Sequence, residues 1–133
     1  MSQENVELAR RGFEALNRRD IETVLELCDP AIELRPSLVG GVEQTTFVGR
    51  EGYRKWFEQQ FETYDHVSFE PHDIRAVGDQ VVALYTTRIR GAQSGLELES
   101  PGATVLTIKA GRVVKQVGFQ NQTDALEAVG LSE

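Results

Sequence analysis

The feature that most constrains this chain is a change of hydrophobic period at His66. Up to Tyr64, most apolar residues recur at three- and four-residue steps, whereas from His66 to Gln120 the pattern switches to the alternation and short apolar runs of strands. The alternating part divides into runs at residues 66–77, 80–90, 96–109 and 112–120, with Gly78-Asp79 and Ala110-Gly111 as turn signals between them. Long runs joined by short turns predict an antiparallel meander whose strands are long enough to curl. Pro71 cannot donate to a ladder, so a bulge is expected near it.

The front of the chain reads as helices. Val6, Ala9, Phe13 and Leu16 predict an amphipathic helix over residues 3–18. Asp20 is placed to cap a second, short helix carrying Ile21, Val24, Leu25 and Cys28, which Asp29-Pro30 ends because a residue before proline is driven out of helical geometry. Ile32-Glu33-Leu34-Arg35 alternates as a first strand, with Glu33 and Arg35 facing outward. A loop at residues 36–46 and a short strand at Phe47-Val48 follow, and Gly49-Arg50-Glu51-Gly52 then opens a third helix. Its stripe of Tyr53, Trp56, Phe57, Phe61 and Tyr64 spans one wide buried face. A last helix at residues 124–129 has Asn121 or Thr123 as its cap and Gly130 beyond its end. The sum is an α+β architecture, a curved antiparallel sheet packed on three N-terminal helices, with a central pocket where the helices cannot fill the concave side.

At 133 residues the chain is the size of one domain, expected to span 1–133. A formal charge of -7, with no basic stripe, would repel phosphate backbones and anionic lipid, so neither nucleic acid nor a membrane is expected as a partner. Met1-Ser2-Gln3-Glu4-Asn5-Val6-Glu7 lacks the pattern of a secretory signal, and the cytoplasm is the expected compartment. Cys28, the single cysteine, allows no intrachain disulfide and suits core packing better than a reactive thiol. His66 and His72 are the only imidazoles. His72 and Asp73 are neighbours in a strand and point to opposite faces, so they are not a dyad, and no metal or cofactor site is expected.

Arg11-Gly12-Phe13-Glu14-Ala15-Leu16-Asn17-Arg18-Arg19-Asp20-Ile21, followed by Cys28-Asp29-Pro30-Ala31-Ile32-Glu33, resembles the opening of the SnoaL-like, ketosteroid-isomerase-like branch of the nuclear-transport-factor-2-like superfamily. Gly49-Arg50-Glu51-Gly52, Val77-Gly78-Asp79-Gln80-Val81-Val82 and Lys109-Ala110-Gly111-Arg112-Val113-Val114 fall where that branch enters its third helix and turns two hairpins. The resemblance implies a cone-shaped fold with a central pocket. It also allows the working residues of related enzymes to be placed on this chain. The tyrosine donor of the isomerases falls on Gly12, the base on Leu34 or Arg35, and the acidic donor on Thr104. One carboxylate of the limonene-type epoxide hydrolases falls close to Gly118. None of these residues can do the same work, and no Asp, Glu or His lies between Glu99 and Asp124.

The resemblance turns one face of each late strand inward. Tyr85 and Thr87, Thr104 and Leu106, and Gln116, Gly118 and Gln120 then line the pocket with Phe13 and Trp56, a neutral hydrogen-bonding surface suited to an uncharged ligand. A register shift of one would instead put Gln116 and Gln120 on a solvated or dimer-forming face, and Tyr85 also suits the core. Arg88 and Arg90 belong on the outer face. Two functions stay open: a domain that binds a small, largely apolar molecule, with cyclase- or isomerase-type chemistry at most, or a homodimeric protein-interaction module with a by-product cavity. Whether the chain is an enzyme, and with which catalytic residues, is not decided by the sequence.

Overall fold

A computed structural model describes residues 2–36 and 46–131. Three helices precede the meander: α1 (Ser2–Asn17), α2 (Ile21–Glu26) and α3 (Gly49–Thr63). The strands are β1 (Cys28–Arg35), β2 (Phe47–Val48), β3 (Tyr64–Val77), β4 (Gln80–Gly91), β5 (Glu97–Lys109) and β6 (Arg112–Phe119), and α4 (Gln122–Ala128) comes last. Together the strands form one six-stranded sheet in the order β2-β1-β6-β5-β4-β3. The loop expected at residues 36–46 lies, but for its two ends, outside the described residues.

Strands β3 to β6 form the expected antiparallel meander, and the register of β3 on β4 shifts between Pro71 and Asp73, at the bulge expected there. The parallel pairing of β1 with β6 is a difference from the expected all-antiparallel sheet. It arises because β1 enters the sheet from the helical layer and lies beside the last strand, a partner far away in sequence. Cys28 is also corrected. Helix α2 closes at Glu26, and Cys28 opens β1 instead of completing the helical stripe. It stays buried in either geometry, which is why its apolar spacing misled.

Two polar side chains fix α1 across the free edge of β3. The Asn17 side chain donates to the Phe69 carbonyl and accepts from the Phe69 amide, both at 2.8 Å, so one amide side chain stands in for a missing neighbour strand. Arg19, in the left-handed region at φ 59, donates to the Asp65 carbonyl and lies 3.9 Å over the Phe61 ring. Asp20 accepts from the Thr23 amide and hydroxyl, capping α2 as expected. Arg50 donates twice to the Cys28 carbonyl and ties the start of α3 to β1.

The core splits between the two faces of the sheet. Val81, Leu106 and Ile108 pack under α1, α2 and α3 with Leu25, Ile32, Leu34 and Tyr53. Val82, Ala103 and Val105 face the other way and pack on Ala125, Leu126 and Val129. Helix α4, capped by Asn121, thus covers the opposite face of the sheet from the other three helices.

Candidate functional site

Between α1, α3 and the concave face of the sheet lies a cavity of about 360 Å³. Strand alternation builds its walls: Tyr85, Thr87 and Ile89 from β4, Ser100, Gly102, Thr104 and Leu106 from β5, Gln116 and Gly118 from β6, and Leu34 from β1. Register makes them neighbours, with Tyr85 opposite Gly102, Thr87 opposite Ser100, Thr104 opposite Gly118, and Gln116 between Leu106 and Leu34. Phe13 from α1 and Trp56 from α3 complete the enclosure. All nine residues placed at the pocket by the sequence reading therefore border this one space. Gln120 sits beyond the end of β6 and is exposed, at the rim. Gln59, Ser100 and Pro101 are exposed there too, so the cavity opens to solvent.

Three hydroxyls of the lining, those of Tyr53, Tyr85 and Thr104, are engaged. Tyr85 donates its hydroxyl proton to the Ala103 carbonyl at 3.3 Å, and Thr104 donates to the Val117 carbonyl at 3.1 Å. Thr104, expected as part of a neutral hydrogen-bonding lining, has thus spent its proton on the sheet and presents lone pairs. Tyr53, 1% exposed, donates to Gln116 Oε1 at 3.2 Å. Burial pushes the Tyr53 phenol far above its ordinary range and that of Tyr85 up to about 12. Burial likewise pushes the Cys28 thiol up to about 12, with the Arg50 charge opposing it in part. These three groups remain neutral near pH 7.

No side chain of Asp, Glu, Lys, Arg or His borders the cavity among the described residues. The charged residues face out. Arg88 lies between Glu70 and Glu99, and Arg90 between Asp65 and Glu97, in two cross-strand ladders on the outer face. His72 reaches Thr86 Oγ1 at 2.6 Å and His66 reaches Ser68 Oγ at 3.2 Å, both exposed, while Asp73 pairs with Arg75. Among the described residues no three His, Cys, Asp or Glu gather as metal ligands, and no helix is long and apolar enough to cross a membrane.

The positions that the resemblance assigns to isomerase chemistry do reach this cavity, as Gly12, Leu34 and Thr104. Leu34 points in at 1% exposure, whereas Arg35 points out and pairs with Glu33. Sequence reasoning took Tyr53 for core alone and passed over Gly102. Each carried a signal: a buried phenol requires a partner, and glycine inside a strand marks a close approach.

The profile of the SnoaL-like domain family matches residues 9–116. No curated protein matches the sequence. Among solved structures, a nuclear-transport-factor-2-like protein of unknown function from Burkholderia pseudomallei superposes with a TM-score of 0.81 at 18% identity, over 96% of this chain and 98% of that one. A candidate polyketide cyclase from Xanthomonas campestris pv. campestris gives 0.77 at 16% identity, over 96% and 98%. A candidate SnoaL-like polyketide cyclase from Shewanella denitrificans gives 0.73 at 19%, over 92% and 96%. At these identities the likeness concerns the fold.

Proposed function

Since the chain belongs to the SnoaL-like domain family, we propose that its cavity binds one small, uncharged, largely apolar molecule. The observation that carries this reading is the absence of any charged or imidazole side chain among the described residues of the lining. An ion moved from water into such a site loses its hydration and gains no countercharge, a cost that excludes it. A neutral ring system loses little and gains contact with Phe13, Trp56, Leu34 and Tyr85.

The exposed rim of Gln59, Ser100, Pro101 and Gln120 supports this reading over the alternative of a homodimeric interaction module with a by-product cavity. Chemistry on the bound molecule is limited to steps that need confinement and neutral hydrogen bonds, such as closure of a reactive chain on itself. Among the described residues of the lining, Cys28, Tyr53 and Tyr85 hold their protons near pH 7 and none of them serves as a base.

A matched pair tests the proposal. Methyl 2-naphthoate and 2-naphthoate share one ring system and differ in charge. Titration calorimetry is expected to show the ester binding at least about tenfold more tightly than the anion. Equal affinity, or preference for the anion, would sink the reading.

A further inference from the structure

The floor of the cavity carries one polar group whose hydrogen-bonding direction is fixed. Gln116 lies on β6 between Leu34 and Leu106 on the same face, and both leucines are buried. Tyr53, fully enclosed beneath it, has one proton to donate and gives it to Gln116 Oε1. An amide oxygen only accepts, so the bond orients the amide and leaves its NH₂ on the other side. That nitrogen has no hydrogen-bond partner among the described residues, yet none of their buried side-chain nitrogens or oxygens lacks one. The Gln116 nitrogen therefore borders open cavity, which accounts for Gln116 being only half-buried between fully buried neighbours.

We infer that the Gln116 amide is the specificity-determining donor of the site and selects molecules with a carbonyl oxygen on a flat hydrocarbon ring; the inference rests on the binding reading above. An N–H group set in an apolar floor is answered by an acceptor, and one N–H of the amide can donate to a ligand carbonyl oxygen. Leu34 and Leu106 flank the place of that oxygen and suit the ring carbons beside it. The hydroxyls of Tyr85 and Thr104 present lone pairs, because their protons go to Ala103 and Val117. They repel a carbonyl oxygen and accept from a ligand hydroxyl, so the carbonyl end is drawn to Gln116.

Three ketones and their deoxygenated partners test this: 1-indanone with indane, 1-tetralone with tetralin, and 9-fluorenone with fluorene. In the parent protein the best-fitting ketone is expected to bind roughly three- to tenfold more tightly than its partner. Its infrared carbonyl stretch should move to lower frequency than in hydrocarbon solvent. Gln116→Leu should bring the affinity ratio to about one and remove the frequency shift. Because that variant strands the Tyr53 hydroxyl, the double variant Tyr53→Phe with Gln116→Leu provides a folded control in which both polar partners are gone. Ketones and hydrocarbons binding alike, or a ratio and stretch that persist without Gln116, overturn the role of Gln116 alone. Failure of all six probes to bind overturns the binding reading and this inference with it.

Discussion

The ring of Tyr85 lies so close to Gly102, its partner across the β4–β5 ladder, that a methyl group on residue 102 would sit 2.7 Å from Tyr85 Cε1. Neighbouring groups fix the position of the ring. Phe13 and Phe69 hold it at centroid distances of 5.5 and 5.6 Å, and its hydroxyl is bonded to Ala103. Gly102→Ala must therefore move either the ring or the strand, and overpacking of this kind costs about 1–3 kcal/mol. Urea unfolding should show that loss. A variant as stable as the parent would mean that the aromatic cluster yields freely, contrary to this packing.

Gly12 predicts the opposite sign. It lies within α1, and an added methyl group would meet only Leu27 Cδ1, at 3.9 Å. Gly12→Ala should stabilise the fold by about 0.5–1 kcal/mol, through lower entropy of the unfolded chain. Thermal unfolding should rise by about 2–6 °C. An unchanged or lower midpoint would show that α1 is not continuous through residue 12.

Alkali should destabilise the protein in a defined window. The Cys28 thiol has an ordinary value of 9.0 and is raised to about 12 in the fold, and Tyr85 goes from 10.0 to about 12. Between those limits the unfolded chain has released protons that the native state still holds, so stability falls as pH rises. Below about pH 9 these groups contribute no slope, and inside its window each contributes up to about 1.4 kcal/mol per pH unit. Urea midpoints at about pH 8, 9.5 and 10.5 check this, with Cys28→Ala expected to flatten the early part of the fall. A midpoint constant across that range would contradict the burial of both groups.

Periodicity and turn signals made the meander legible in the sequence, since runs of strand character bounded by Gly78-Asp79 and Ala110-Gly111 mark where each late strand begins and ends. Alternation put Tyr85 with Thr87, and Gln116 with Gly118, on shared strand faces, and the family resemblance turned those faces and Thr104 inward. Pairing of distant segments was not legible. Nothing local in Cys28–Arg35 specifies β6 as its parallel neighbour, and nothing in residues 122–128 specifies the outer face. Hydrogen-bond direction was hidden for a related reason. Thr104 spends its proton on a carbonyl thirteen residues away, and the orientation of Gln116 on β6 depends on Tyr53 from helix α3.

That lost proton bears on catalysis. Shifting a double bond beside a ketone requires a base to carry hydrogen between carbons and a donor to hold the enolate oxygen. The cavity is bordered by Gly12, Leu34 and Thr104, to which the family resemblance assigns the places of these groups. Glycine and leucine supply neither function, and the Thr104 hydroxyl already donates to Val117. The Gln116 amide could stabilise an enolate oxygen, but a donor without a base leaves the carbon-bound proton in place. With a β,γ-unsaturated ketosteroid, the absorbance of the conjugated product should therefore grow no faster than in buffer across pH 6 to 8. Turnover well above buffer that disappears in Thr104→Ala would place a working proton relay in this cavity, and the assignment of a purely neutral lining would have to be given up.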